Sequence, residues 1–165
     1  MKVDKNEFIK VVHENQGIIN KICFGYTNNV EDRNDLKQEI LIQLWKAYPQ
    51  FKHESKISTW MYRIALNTAI SNLRKAKRKI RESELTESNY QIPEIEDDAT
   101  LNENILRLYR MIYQLSDLEK AIMLLYLDEQ PYREIAEIVG ISETNVATKI
   151  SRIKSQFKNQ FNKKK

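Results

Sequence analysis

Cysteine, glycine and proline are scarce in this chain of 165 residues, which has one cysteine, three glycines and three prolines. The single cysteine, Cys23, excludes an intramolecular disulfide and a zinc site built from several thiolates. Because it lies in an apolar stretch, we expect it to be a small buried core residue. So few glycines and prolines are unusual for a protein rich in turns and strands, whereas the abundant Leu, Ile, Lys and Glu favour helices. The composition therefore predicts a globular, all-α fold.

Long hydrophobic runs are also missing, and none approaches the roughly 18 residues that a membrane-spanning helix needs. The charged opening, Met1 to Asp4, lacks the apolar core of a secretory signal. We therefore predict a cytoplasmic protein with no membrane insertion of its own.

Motifs typical of enzymes are not present either. The sequence has no Walker loop, no dinucleotide fingerprint and no metal-ligand cluster. Its two histidines, His13 and His53, are far apart in sequence and neither has an evident catalytic partner. We expect no enzymatic activity, no cofactor, no metal and no small-molecule substrate.

Charge is distributed very unevenly along the chain. Residues 1–81 carry sixteen basic and eight acidic side chains, and residues 105–165 carry eleven basic and seven acidic ones. Residues 82–104 carry eight acidic side chains and no basic one. The pattern predicts two small basic domains, 1–81 and 105–165, joined by an acidic linker, 82–104, with two separate nucleic-acid contacts.

Helical spacing of apolar residues predicts a bundle of three to four helices in the first domain. The first helix begins at Asp4 as N-cap, with Glu7 as its capping partner. It ends at Asn28-Asn29, and the second helix ends at Pro49. The predicted N-caps of the second and third helices are Asp32 or a neighbour, and Ser58 or Thr59.

The third predicted helix carries a polar row at helical spacing, which consists of Arg63, Asn67, Ser71, Arg74 and Arg78. A solvated face that offsets the helix dipole would explain the basic residues equally well. The aligned amide and hydroxyl favour nucleic-acid binding instead, because such groups contact bases and phosphates.

The second domain is predicted to contain four helices, the second of which opens with a capping box at Ser116–Glu119. Residues 131–150 have the form of a helix-turn-helix. In this motif Gly140 supplies a left-handed turn, and Ile141 and Val146 seal the corner between the two helices. Such hairpins also occur as plain packing units, but the combined spacing favours DNA binding. The residues left on the outer face of the last helix are Thr144, Asn145, Thr148, Lys149 and Arg152.

Three segments together resemble one family. They are the Asp-Leu-Lys-Gln-Glu of residues 35–39, the stretch from Phe51 to Asn67 with its Thr-Trp-Met-Tyr-Arg-Ile-Ala-Leu-Asn, and the helix-turn-helix. Over residues 8 to 160 the chain resembles the extracytoplasmic-function group of bacterial sigma factors, within the sigma-70 family. The resemblance implies a sigma-2-like first domain and a sigma-4-like second domain. It also implies bacterial core RNA polymerase and promoter DNA as partners, with promoter-specific initiation of transcription as the function.

The resemblance assigns roles to residues of the second predicted helix, the loop after it, and the third helix. Core polymerase binding falls on Asp35, Gln38, Glu39 and Trp45. The loop expected to capture an unstacked base of the −10 element, and so to help melt the promoter, consists of Phe51, Lys52, His53, Glu54, Ser55 and Lys56. Further −10 contacts fall on Asn67, Ser71 and Arg74. Contacts to the −35 element fall on Thr144, Asn145, Thr148, Lys149 and Arg152.

Two departures from the family pattern bear on specificity. Ala147 stands where the family often has a basic residue, so one −35 contact is missing, and His53 stands in the loop where glycine is common. The resemblance further implies that the acidic linker lies along the polymerase active-site cleft and is displaced by growing RNA. No appended sensory domain is expected after the helix-turn-helix, so regulation is expected from an anti-sigma protein.

Two alternatives remain open at the level of sequence. A stand-alone helix-turn-helix regulator would use the first domain for dimerisation or sensing, and would not need the polymerase motif or the base-capture loop. A recombinase fragment would require a catalytic Ser or Tyr constellation, which the sequence does not display.

Overall fold

The computed structural model describes residues 3–84 and 102–163, and within those ranges it contains helices and no strand. The chain forms two compact units. The first contains α1 (Lys5–Glu14), α2 (Gln16–Tyr26), α3 (Val30–Ala47) and α4 (Ile57–Glu84), with a 3-10 turn, Tyr48–Gln50, after α3. The second contains α5 (Glu103–Tyr113), α6 (Asp117–Leu127), α7 (Tyr132–Val139) and α8 (Glu143–Lys163). The predicted all-α, two-domain fold is confirmed.

The core of the first unit lies where α2, α3 and α4 pack against one another. Each helix contributes side chains that are fully buried, among them Ile22, Ile40 and Met61. Burying a side chain of this size contributes about 1.5–3 kcal/mol. These three helices therefore form a rigid base on which the polar faces of α3 and α4 and the intervening loop are held.

The prediction of one long first helix is wrong, because the chain breaks at Asn15 into α1 and α2. The side-chain amide of Asn15 donates a hydrogen bond to the carbonyl of Val11 at 2.8 Å, competing with the backbone as asparagine readily does. The break was missed because apolar residues keep helical spacing across it. Asp4 is confirmed as the N-cap of α1 and accepts from the Asn6 N–H at 2.9 Å. Glu7 instead accepts a hydrogen bond from the hydroxyl of Tyr48.

The other two caps also differ from the predicted positions. The N-cap of α3 is Asn29, whose side chain accepts from the Asp32 N–H at 2.7 Å. Helix α4 begins at Ile57, so the prediction of an N-cap at Ser58 or Thr59 is wrong. The first turn is instead held by Trp60, whose ring packs on Phe51 at 5.0 Å.

Two helix ends predicted in the second unit are confirmed, which are Ser116 as the N-cap of α6 and Gly140 at the end of α7. Ser116 and Glu119 form the predicted capping box, with both hydrogen bonds at 3.3 Å. Helix α5 is tied to the end of α8 by Arg107, whose guanidinium lies 3.9 Å from the centre of the Phe161 ring. The same guanidinium donates to the carbonyl of Phe161 at 3.4 Å, which satisfies a terminal acceptor of the helix.

Both ends of the predicted linker are helical. Helix α4 continues to Glu84, and α5 begins at Glu103. The acidic run of residues 94–98, with its predicted position in the polymerase, lies outside the described residues.

Candidate nucleic-acid interface

The polar row predicted on α4 is exposed along its whole length. Its members are Arg63, Asn67, Ser71, Arg74 and Arg78. The opposite side of the helix is buried through Ala65, Leu66 and Ala69. A helix with one side in the core and the other in solvent holds its polar row on a fixed line, which suits contact with an extended strand.

Asn67 and Ser71 also line a groove of about 380 Å³ between α3 and α4. The α3 side of this groove is formed by Glu39 and Gln43, and the Gln43 amide donates to the Glu39 carboxylate at 2.9 Å. Glu39 is therefore half-buried beside the α4 row. The sequence reasoning missed Gln43, although its position four residues after Glu39 on one helix was a usable signal.

The outer face of α3 carries a mixed polar and apolar surface. Asp35 and Gln38 are exposed, and Trp45 remains 41% exposed although its ring contacts Phe8 at a centroid distance of 5.0 Å. Ile42 is 46% exposed between them. The sequence reasoning missed Ile42, whose spacing from Gln38 and Trp45 places all three on one side of the helix. Exposed large apolar side chains beside polar ones are typical of a protein-binding surface.

The loop between the 3-10 turn and α4 is held at its first residue. The ring of Phe51 packs on Trp60 at 5.0 Å, and the ring of His53 packs on Phe51 at 4.5 Å. His53 has φ of +58°, a left-handed conformation that glycine adopts more readily. Lys52 and Lys56 are exposed in the same loop. The loop therefore presents packed aromatic rings flanked by cations.

The helix-turn-helix has the predicted geometry. Gly140 ends α7 with φ of +76°, in the left-handed region, and the Ser142 hydroxyl accepts from the Asn145 N–H at 3.1 Å. Val146 on α8 is fully buried at the corner between the helices, as predicted, whereas Ile141 is only half-buried and the second fully buried side chain there is Ile135 on α7. These contacts fix the angle at which α8 leaves α7.

The residues predicted on the outer face of α8 are not all equally exposed. Thr144, Asn145, Thr148 and Arg152 are exposed, whereas Lys149 is half-buried. The Thr148 hydroxyl donates to the carbonyl of Thr144 at 3.0 Å. Val146, Ile150 and Ile153 lie on the opposite, buried side. The four exposed side chains form a compact polar surface on the first half of a 21-residue helix, the arrangement that a recognition helix presents to a major groove.

Within residues 3–84 and 102–163 no group of three or more His, Cys, Asp or Glu side chains is placed to hold a metal ion. Over the same ranges no helix is both long enough and apolar enough to cross a membrane.

A helical protein with a helix-turn-helix in one unit, and a cation-flanked aromatic loop beside a polar helix face in the other, belongs to the class of nucleic-acid-binding proteins. The family model for sigma-70 region 2 matches residues 11–79, and that for sigma-70 region 4 matches residues 105–157.

Similar proteins carry related names. The extracytoplasmic-function sigma factor SigW of Bacillus subtilis is 29% identical to this chain, and the alignment covers 97% of this chain and 91% of SigW. The extracytoplasmic-function sigma-E factor of Haemophilus influenzae is 30% identical to this chain, and the alignment covers 96% of this chain and 89% of that protein. The sigma factor RpoE of Bartonella quintana, solved in complex with the anti-sigma factor NepR, superimposes with a TM-score of 0.74 at 18% identity over 96% of each chain.

The chain belongs to the extracytoplasmic-function group of the sigma-70 family, and it is an RNA polymerase sigma factor. The family and function predicted from the sequence are confirmed. The Bartonella structure supports the fold.

Proposed function

We propose that the three exposed surfaces divide the work of promoter recognition among themselves. The outer face of α3, with Asp35, Gln38 and Trp45, binds core polymerase, and Ile42 adds apolar contact area there. Glu39 lies at the edge of this surface, where it also borders the groove to α4.

The proposed −10 surface consists of the loop from Phe51 to Lys56 and the neighbouring part of α4. Packed rings in the loop offer a stacking platform for an unpaired base, and stacking of this kind contributes about 1–3 kcal/mol per base. Asn67, Ser71 and Arg74 continue the surface along α4 and contact the single strand. Melting then needs no ATP, because captured bases offset the lost base-pair stacking.

The proposed −35 surface is the exposed side of α8. Thr144, Asn145 and Thr148 lie in its first two turns, where a recognition helix contacts base edges, and Arg152 and Lys149 are suited to phosphates. Lys149 is half-buried, so we expect it to contribute less than Arg152. We propose domain limits of 1–81, for the domain that carries the polymerase and −10 surfaces, and 105–165, for the domain that carries the −35 surface.

The chain acts without catalysing a reaction itself, and it works in the cytoplasm on the polymerase that it directs. We propose an anti-sigma protein as its regulator, since the Bartonella relative is a sigma factor in complex with one. The exposed helix-turn-helix surface is the single observation that carries the DNA-binding assignment, because its four polar side chains point away from the buried core of the second domain.

Selection of promoter fragments from a random library by the holoenzyme tests the division. Asn145→Ala and Thr148→Ala should change the selected sequence only in the −35 element. Asn67→Ala and Arg74→Ala should change only the −10 element. Changes spread over both elements by either pair would contradict the assignment.

The polymerase surface needs a separate measurement. Trp45→Ala should weaken binding to core polymerase by about tenfold or more, the effect of losing one well-packed aromatic contact at an interface. Ile9→Ala is the matched control, because Ile9 is 53% exposed on α1 and is not part of the proposed surface. Tight, sequence-specific binding of the free chain to duplex DNA, with no affinity for core polymerase, would favour a stand-alone regulator instead.

A further inference from the structure

A cavity of about 190 Å³ lies beside the loop, where the N-terminus of α1 meets the 3-10 turn. Pockets for drug-sized molecules occupy about 300–1,000 Å³, so this cavity is suited to a smaller group such as one base. Its lining includes Asp4, Glu7, Tyr48, Pro49, Phe51 and His53.

One part of the lining is aromatic and already packed. The ring of Phe51 contacts the rings of Trp60 at 5.0 Å and His53 at 4.5 Å. Tyr48 is held by Phe8 at 5.2 Å. Because these rings are fixed by their neighbours, a flat ligand can stack on them without first ordering the side chains.

The other part of the lining is acidic. The carboxylate of Glu7 accepts a hydrogen bond from the Tyr48 hydroxyl, which fixes its position and leaves further acceptor sites on its two oxygens. Partial burial, Glu7 and Asp4 together raise the pKa of Tyr48, so its hydroxyl remains a donor. Asp4 is already engaged as the N-cap of α1. Glu7 is therefore the more available acceptor of the two.

The two carboxylates in the lining, Asp4 and Glu7, determine which part of a nucleotide can bind in the cavity. They repel phosphate, and they accept hydrogen bonds from the exocyclic amine of a base. Thymine has no such amine, and its one ring donor, N3–H, lies between two carbonyl oxygens that a carboxylate repels. The exposed cations Lys52 and Lys56 lie in the loop outside the lining, where they suit the phosphate backbone.

We propose that Glu7 is a specificity-determining residue, which accepts a hydrogen bond from the exocyclic amine of an unpaired −10 base stacked in this cavity. The cavity then selects an amine-bearing base over thymine at one position of the −10 element. This inference rests on the proposed −10 role of the loop. It adds a residue of α1 to a site that the sequence assigned to the loop and α4 alone.

The test is selection by holoenzyme from DNA fragments with a single-stranded −10 segment of random sequence. Four proteins are compared, which are the wild type, Glu7→Gln, Tyr48→Phe and Glu14→Gln. Glu14→Gln removes the same charge from the other end of the same helix and does not touch the cavity. Glutamine keeps the shape of Glu7 but adds an amide donor, which also suits the carbonyl of thymine.

We expect the wild type and Glu14→Gln to exclude thymine at one −10 position. Glu7→Gln should lose that discrimination by about fivefold to 100-fold at that position alone, the range for one base contact. Tyr48→Phe keeps the ring and removes the hydroxyl that holds Glu7, so it should weaken the discrimination at the same position.

Unchanged base preferences in Glu7→Gln would overturn the inference while leaving the proposed role of the loop intact. Weaker binding of Glu7→Gln to core polymerase, with unchanged base preferences, would overturn it in favour of a cationic polymerase side chain in the cavity. Failure of the wild-type holoenzyme to select any −10 sequence would overturn the proposed role of the loop as well.

Discussion

The ring of Phe51 lies 5.0 Å from the ring of Trp60, so the first residue of the loop is fixed to the first turn of α4. Trp60 also contacts Tyr48 at 6.1 Å, which ties the 3-10 turn to the same place. A row of aromatic contacts thus positions the start of the proposed base-capture loop against the helix that carries the polar row.

Phe51→Ala should release the loop from α4. Because Phe51 is half-buried, we expect the free energy of unfolding of the first domain to fall by about 1–3 kcal/mol, less than for a fully buried phenylalanine. Transcription should fall by more than the loss of folded protein alone would cause. Urea denaturation and single-round transcription measure the two effects, with the exposed neighbour change Lys52→Ala as control for stability. A Phe51→Ala protein with wild-type promoter melting would contradict the role of this contact.

His53 allows the left-handed backbone of the loop to be tested directly. His53→Ala removes the ring and keeps a Cβ at φ of +58°, whereas His53→Gly removes both. The glycine variant should therefore be more stable than the alanine variant by about 1 kcal/mol, as compared by urea denaturation. Equal stabilities, or the reverse order, would show that the loop leaves this conformation in solution.

Gly140 and Gly17 form a matched pair in which substitution by alanine should change stability in opposite directions. An added Cβ meets no atom within 4 Å at either position, but only Gly140 has positive φ. Gly140→Ala should destabilise the second domain by about 1 kcal/mol or more. Gly17→Ala lies within α2 and should stabilise the first domain by up to about 1 kcal/mol. Thermal unfolding of both variants checks the pair, and destabilisation by Gly17→Ala would indicate crowding that the structure does not show.

Cys23 gives the first domain a defined response to alkaline pH. Burial raises the pKa of its thiol from 9.0 to about 12, with Lys37 and Arg33 opposing the shift. The unfolded chain loses this proton first, so the stabilisation is complete below pH 9 and is lost as pH rises from 9 towards 12. The free energy of unfolding should therefore fall more steeply with pH in the wild type than in Cys23→Ala. Parallel slopes would contradict this assignment, as would rapid reaction of the folded thiol with an alkylating reagent at about pH 8.

Sequence periodicity predicted most of the fold because apolar spacing and turn residues act locally. The capping box at Ser116 and the turn at Gly140 depend on residues three or four apart, and both formed as expected. The break at Asn15 was not predictable in this way, since a side-chain hydrogen bond interrupts a pattern that otherwise continues.

Features that depend on contacts between residues far apart in the sequence could not be predicted either. Arg33 is a charged residue that is only 9% exposed, with its guanidinium 3.8 Å from the centre of the Phe24 ring. No local pattern distinguishes it from the exposed arginines of α4. The cavity at Glu7 likewise requires α1 to approach a loop more than forty residues later in the chain. Such placements follow from tertiary packing alone.

Single-round transcription with purified core polymerase and a library of promoter fragments tests the central claim most directly. With the chain present, we predict new transcripts whose promoters share a −35 and a −10 sequence. Asn145→Ala should change only the −35 sequence, and Arg74→Ala should change only the −10 sequence. No chain-dependent transcript, together with no competition against another sigma factor for core polymerase, would contradict the account.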